Sequence, residues 1–320
     1  MARERPVDPS DLPSTDAGLP RLGLILLAAV TLAWGVSWPA MKIVLFEMSP
    51  WTFRVISVPV AGLIMMGLVR LSGLSLAVPR NKWAALIIVS FINIGGWQMF
   101  SALGLAHLSS GRAVLVAYTM PVWASLFSAL ILGESLKLRL VGALALGMAG
   151  VGTLMWGDLE VIGASKLGVT YMLIAAVSWG LGIVLLKKVD WGMPTLSLAA
   201  WQLVVASVPI VVAGWIAGGV VIPQLTPLGL GMLVFVILIP ICFCSYAFFK
   251  IVSLFPANIS AIGTLMIPVL GVFSGALILG EAVGWRELAA MIMIGSAMVL
   301  TLITPRRRKT PATEVAKKGP

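Results

Sequence analysis

Asn93, Trp97 and Gln98 stand close together in a long apolar run, and their types suit binding rather than bond-breaking. A primary amide inside a membrane offers hydrogen bonds to whatever faces it, and an indole offers a flat apolar wall with a single N–H. Comparable residues recur at Tyr118 with Thr119, Trp34 with Ser37, Ser178 with Trp179, and Ser245 with Tyr246. Two roles fit Asn93 and Gln98: tying helices together by hydrogen bonds, or facing a substrate. Trp51, Trp83, Trp191 and Trp285 fall at the ends of apolar runs, where indoles anchor at headgroup level, whereas Trp34, Trp97 and Trp179 lie deeper. The expected substrate cavity is therefore lined by Trp34, Asn93, Trp97, Gln98, Tyr118, Trp179, Ser245 and Tyr246.

Other chemistry lacks its reagents. One histidine, His107, and two cysteines, Cys242 and Cys244, do not make a metal set or a catalytic cluster. No enzyme activity, metal or other cofactor is expected, and the two cysteines read as small interior residues. No Asp or Glu falls in mid-membrane, so a carboxylate proton relay is missing. That leaves facilitated diffusion, or coupling by another route. Lys42, Arg54 and Arg112 read as snorkelling toward headgroups, with pairing to a substrate carboxylate as the alternative for each.

The elements that must position these residues follow from composition. The chain has 320 residues, 60% of them apolar, with a mean hydropathy of +1.06, and its few charges separate long uncharged stretches. Each stretch approaches the ~20 residues that cross a hydrocarbon core. Helices are predicted near 22–45, 51–71, 83–106, 112–133, 138–156, 167–187, 194–217, 226–250, 257–279 and 285–304. The fold class is all-α polytopic membrane protein. The formal charge of +10 does not indicate nucleic acid. With the N-terminus inside, 17 of the 22 basic residues fall on cytoplasmic segments, the positive-inside bias of a multi-pass protein with both termini cytoplasmic. Residues 1–21 read as a polar, disordered cytoplasmic tail rather than a cleaved signal, and residues 305–320 as a basic cytoplasmic tail beside anionic lipid.

The chain also repeats itself. Ala-Leu-Ile-Leu-Gly-Glu occurs at Ala129–Glu134 and again at Ala276–Glu281, an offset of 147 residues, and 8 of the 15 positions from Met120 to Glu134 match their counterparts. Trp34-Gly35 with Lys42 answers Trp179-Gly180 with Lys187, and Ser245 answers Gln98. Two five-helix units, 22–157 and 158–304, are expected. Five being odd, the second enters the membrane from the opposite face, an inverted pair with its site near the midplane. Pro121 and Pro268 correspond as well. Each lacks an amide hydrogen, frees the carbonyl four residues earlier (Ala117 and Thr264), and reads as a hinge beside the pathway or as a kink relieved by packing. Glu134 and Glu281 read as bonding locally, to backbone or nearby cations. Small residues in the fifth and tenth helices permit close packing, within a monomer or a weak dimer.

Together these motifs resemble the EamA family of the drug/metabolite transporter superfamily: Trp-Gly early in each unit, Pro50 with Arg54 opening the second helix, a mid-helix proline, and Leu-Gly-Glu after the fourth and ninth helices. The resemblance covers roughly residues 22–304. Gln202 departs from the arginine of the first unit, an asymmetry usual in that family. The resemblance implies a ten-helix transporter with a central cavity lined chiefly by helices 1, 3, 4, 6, 8 and 9. It also implies export of small metabolites, often amino acids, across a bacterial inner membrane. An uncharged, aromatic interior suits neutral or zwitterionic cargo, including aromatic amino acids. Efflux of cationic drugs is the alternative, weakened by the lack of an interior carboxylate. A membrane-embedded enzyme is the reading from another class.

Overall fold

The structure, a computed structural model, describes residues 21–133, 138–155, 162–221, 223–247 and 266–302. The tails, Glu134 and Thr264 lie outside the described residues. Helices α1 (Arg21–Glu47) and α2 (Pro50–Leu71) come first. A short 3-10 turn (Arg80–Lys82) then leads into α3 (Trp83–Ser90), a π-helical segment (Phe91–Gly96) and α4 (Trp97–His107), which run on as one rod. Next come α5 (Ser110–Ala117), α6 (Met120–Leu132), α7 (Leu138–Met155), α8 (Ile162–Lys188) and α9 (Thr195–Ile216). Helix α10 (Pro227–Val236) continues into a second π segment (Ile237–Phe243), and α11 (Met266–Leu279) and α12 (Trp285–Leu302) end the described chain. Among the described residues there is no strand.

A helix lies at or within each of the ten expected positions. Among the described residues seven, counting α3–α4, α5–α6 and α10 with its π segment as one each, are long and apolar enough to cross a membrane. Helices α7 and α11 are shorter apolar helices over Val141–Leu154 and Met266–Leu279.

Local chemistry sets the boundaries. The Ser49 hydroxyl accepts from Thr52 N at 3.1 Å and Pro50 fills the first turn of α2, where its missing N–H costs nothing. Thr226 with Pro227 opens α10 in the same way. The repeated hexapeptide ends both α6 and α11 alike: Gly133 (φ 70°) and Gly280 (φ 67°) take the left-handed conformation that stops a helix.

The packing is reciprocal. The most extensive helix contacts join residues before 156 to residues after 161: α2 with α9, α7 with α12, α4 with α8, α1 with α11, and α6 with α8. Two large apolar clusters result, and each draws on both parts of the chain. One holds Trp38, Leu115, Tyr118, Met172, Ile267 and Ile294, the other Phe53, Met65, Leu203 and Ile237. Close side-chain packing, helped by small residues, fixes how the helices face one another, and the polar side chains left inside are held at that interface.

Candidate functional site

The two π segments occupy matching places. Shifting Phe91–Gly96 by 147 residues gives 238–243, inside the second segment, Ile237–Phe243. A π turn carries an extra residue per turn and releases backbone carbonyls from the regular ladder. Inside a membrane those carbonyls need donors. Ser178 Oγ of α8 donates to Ile92 O at 2.7 Å, and Trp34 Nε1 of α1 donates to Pro240 O at 3.1 Å. The helix at the start of each half thus serves the widened helix of the other. Bare backbone lets the partners approach: a side chain at Gly96 would collide with Ser178, and one at Gly182 with Asn93.

Around this point the aromatic residues gather. The Trp97 ring lies 5.1 Å from that of Trp179 and meets Trp38 edge-on at 6.4 Å. Trp34 and Trp97 pack on the cluster that buries Tyr118. Asn93 is buried beside Gly182, and its Nδ2 has no hydrogen-bond partner. Gln98 is buried too, and its carbonyl accepts from Arg54 Nε at 2.6 Å. Six of the eight expected cavity residues, Trp34, Asn93, Trp97, Gln98, Tyr118 and Trp179, therefore lie on the contacting surfaces of α1, the α3–α4 rod, the turn after α5, and α8. The other two stand differently. Ser245 Oγ donates to Ile241 O of its own helix at 2.5 Å, and Tyr246 is 49% exposed. Among the described residues neither joins the tryptophan cluster by a hydrogen bond or ring contact. Sequence reasoning passed over Trp38, although its place one turn after Trp34 on the same helix face was the available signal.

Pro121 stands at a break. Helix α5 ends at Ala117, Tyr118 and Thr119 turn, and α6 begins with Pro121 in its first turn. The Thr119 hydroxyl donates to Val116 O at 2.8 Å and accepts from Trp123 Nε1 at 3.2 Å, so side chains satisfy groups that the ladder leaves over. Pro268 is buried near the start of the described part of α11.

Lys42, Arg54 and Arg112 are each held by protein groups. Lys42 Nζ donates to the carbonyls of Leu105 (2.8 Å), Ala106 (3.2 Å) and Leu108 (2.8 Å), capping the end of α4. Glu281 reaches across from the end of α11 to the first turn of α5. It accepts from Ser110 N at 2.6 Å, Gly111 N at 3.0 Å and Ser110 Oγ at 2.9 Å. Carboxylate at a helix N-terminus satisfies open donors and opposes the macrodipole. Arg112 pairs with Glu287 at 2.9 Å. This end of the bundle is thereby clamped by ionic groups from both halves. Arg54 turns inward, 1% exposed, onto Gln98 and Ser101. Cys242 and Cys244 are buried and free, and no metal-binding group of side chains occurs among the described residues.

A model of the EamA-like transporter family matches residues 21–156 and again 166–303. The chain belongs to that family. This EamA protein is 28% identical to the "Uncharacterized transporter YvbV" of Bacillus subtilis (strain 168), over 92% of its own length and 96% of the relative's. It is 23% identical to the "Probable amino-acid metabolite efflux pump" of Salmonella typhimurium, over 89% and 96% of the two chains. A protein of known crystal structure shares its fold with a TM-score of 0.61 at 19% identity, over 87% of this chain and 95% of that one. Family and apolar helices together make it a multi-pass membrane protein of a transporter family.

Proposed function

We propose that this EamA protein exports small metabolites, amino acids first among them, across a bacterial inner membrane by alternating access. Two inverted five-helix repeats, 22–157 and 158–304, rock against each other about the central cavity, with the tails 1–21 and 305–320 in the cytoplasm. The observation that carries this reading is the reciprocal pair of bonds, Ser178 to Ile92 O and Trp34 to Pro240 O, at matching widened turns. Two like arrangements crossing between halves are what a pair of related packings needs in order to interchange. Trp34, Asn93, Trp97, Gln98, Tyr118 and Trp179 form the cavity wall, with Ser245 and Tyr246 joining it as the packing changes. Pro121 and Pro268 act as hinges, a role supported by the break between α5 and α6. The aromatic wall suits neutral and aromatic amino acids, and the name of the Salmonella relative points to the same cargo class. The protein works as a monomer or a weak dimer.

The test is flux in proteoliposomes against labelled amino acids and organic cations, with and without a pH gradient. Saturable amino-acid flux is expected. Its absence for every amino acid would sink the substrate assignment, and flux indifferent to the gradient would identify facilitated diffusion.

A further inference from the structure

We propose that Arg54 recognises a carboxylate on the transported molecule, so that cargo of this protein must carry an acid group. The inference deepens the transport reading and rests on it for the word cargo, though not for the binding event.

Arg54 lies one turn into α2, yet its guanidinium does not reach for the near membrane surface. Nε donates to Gln98 O at 2.6 Å, and Nη2 meets Ser101 Oγ at 3.2 Å and Met41 Sδ at 3.8 Å. The Phe53 ring lies 4.3 Å from the guanidinium carbon. Nη1, sealed from the surface, has no partner. Among the described residues no carboxylate pairs with this cation; Arg112 and Glu287 form an ion pair elsewhere. A guanidinium keeps its charge and has five donors in a fixed fork. A permanent charge in an apolar interior is costly unless an anion meets it.

A purely structural tie between α2 and α4 does not account for this choice. The carbonyl and the hydroxyl that Arg54 holds are satisfied equally by a neutral amide, with no charge to bury. The surplus is a cation with spare donors, and its chemical complement is a carboxylate. The surroundings agree. Ser57 Oγ, one turn further along α2, is likewise buried without a partner. Gln98, which Arg54 grips, directly follows Trp97, whose ring packs on Trp179 and Trp38. An acid group at Arg54 is thereby placed against the same rod that carries Trp97. Since Nη1 is sealed in this packing, the carboxylate reaches it when the bundle opens.

The experiment measures binding directly. Purified full-length protein is melted in the presence of a panel of the common amino acids, their C-terminal amides and their decarboxylated amines. At least one amino acid is expected to stabilise the protein, with its amide and amine binding at least about tenfold more weakly, the loss expected for charge-assisted hydrogen bonds. Arg54→Gln is expected to bring that ratio to within about twofold of unity. Arg54→Lys keeps the charge but loses the fork, and leaves a ratio between those of the wild type and Arg54→Gln; it carries the test should Arg54→Gln not fold. A wild-type protein that binds amide and acid alike, or binds no acid, overturns the proposal, as does an unchanged ratio in the variants. Acid-selective binding lost in the variants, with no flux in liposomes, would remove the transport reading and leave Arg54 in place. Flux whose acid preference ignores Arg54 would do the reverse.

Discussion

At the scale of single residues, the ionic side chains do more than the apolar background suggests. Glu281 holds two backbone N–H groups and a hydroxyl of the opposing half. Glu281→Gln is expected to cost about 1–3 kcal/mol, because a charged acceptor becomes a neutral one facing the same donors. A thermal melt of the purified variant measures it, and Glu281→Asp, with its shorter reach, recovers only part. An unchanged melting temperature would show that the clamp contributes nothing. The sequence makes Glu281 legible as a helix-end residue bonding to backbone, because a Gly precedes it and the hexapeptide recurs. The backbone it serves, 171 residues away in sequence, follows only from packing. Arg54 shows the same limit more sharply. A cation one turn from a helix end snorkels outward or folds inward according to what lies alongside. Ser101 and the Gln98 carbonyl, supplied by another helix, decide it.

At the scale of elements, the π segments are the part sequence reasoning did not reach. At the 147-residue offset Phe-Ile-Asn-Ile-Gly-Gly and Leu-Ile-Pro-Ile-Cys-Phe share only Ile-x-Ile (Ile92 with Ile239, Ile94 with Ile241), a pattern common in any apolar span. An inserted residue in a helix leaves no periodic trace when all its neighbours are apolar. Gly95-Gly96 and Pro240 weaken the regular ladder, and those residues are the only local hint. The deep tryptophans were legible because indoles away from the interface need a reason to be there, and Trp97 does pack against Trp179. Trp34→Phe and Ser178→Ala test the role of the widened turns. Each removes one side-chain donor from a backbone carbonyl and is expected to cost about 1 kcal/mol. If the two packings differ in these bonds, each variant alters exchange between them, and turnover changes by about tenfold or more while substrate affinity moves less. Flux measured against substrate concentration separates the two effects, and equal changes in affinity and turnover would assign the bonds to simple stability.

At the scale of the whole molecule, the number of crossings has a parity. Ten crossings return the C-terminus to the side of the N-terminus. Seven, the number of helices among the described residues that are long and apolar enough by themselves, would leave the termini on opposite sides. Reporter fusions that work only in the cytoplasm, placed at either end, are expected to be active in both cases. Activity at one end only would rule out a pair of five-helix repeats. The spans were readable from sequence because a bilayer imposes length and apolarity on each helix separately. Which helix lies beside which was not, since lipid and protein interior are equally apolar and the contrast that orients a soluble helix is lost. Small residues such as Gly96 and Gly182 settle it instead, by where they let backbones touch.

The crossed donors also bear on the chain as a single polypeptide. The widened turn of each half takes a side-chain donor from the other: Ser178 for Ile92 O, and Trp34 for Pro240 O. A gene cut between Met155 and Ile162 is therefore expected to give two fragments that are degraded when made alone and accumulate when co-expressed. Quantitative immunoblotting of membranes reads the outcome. Stable accumulation of either fragment by itself would mean that covalent linkage, rather than this mutual dependence, keeps the halves together.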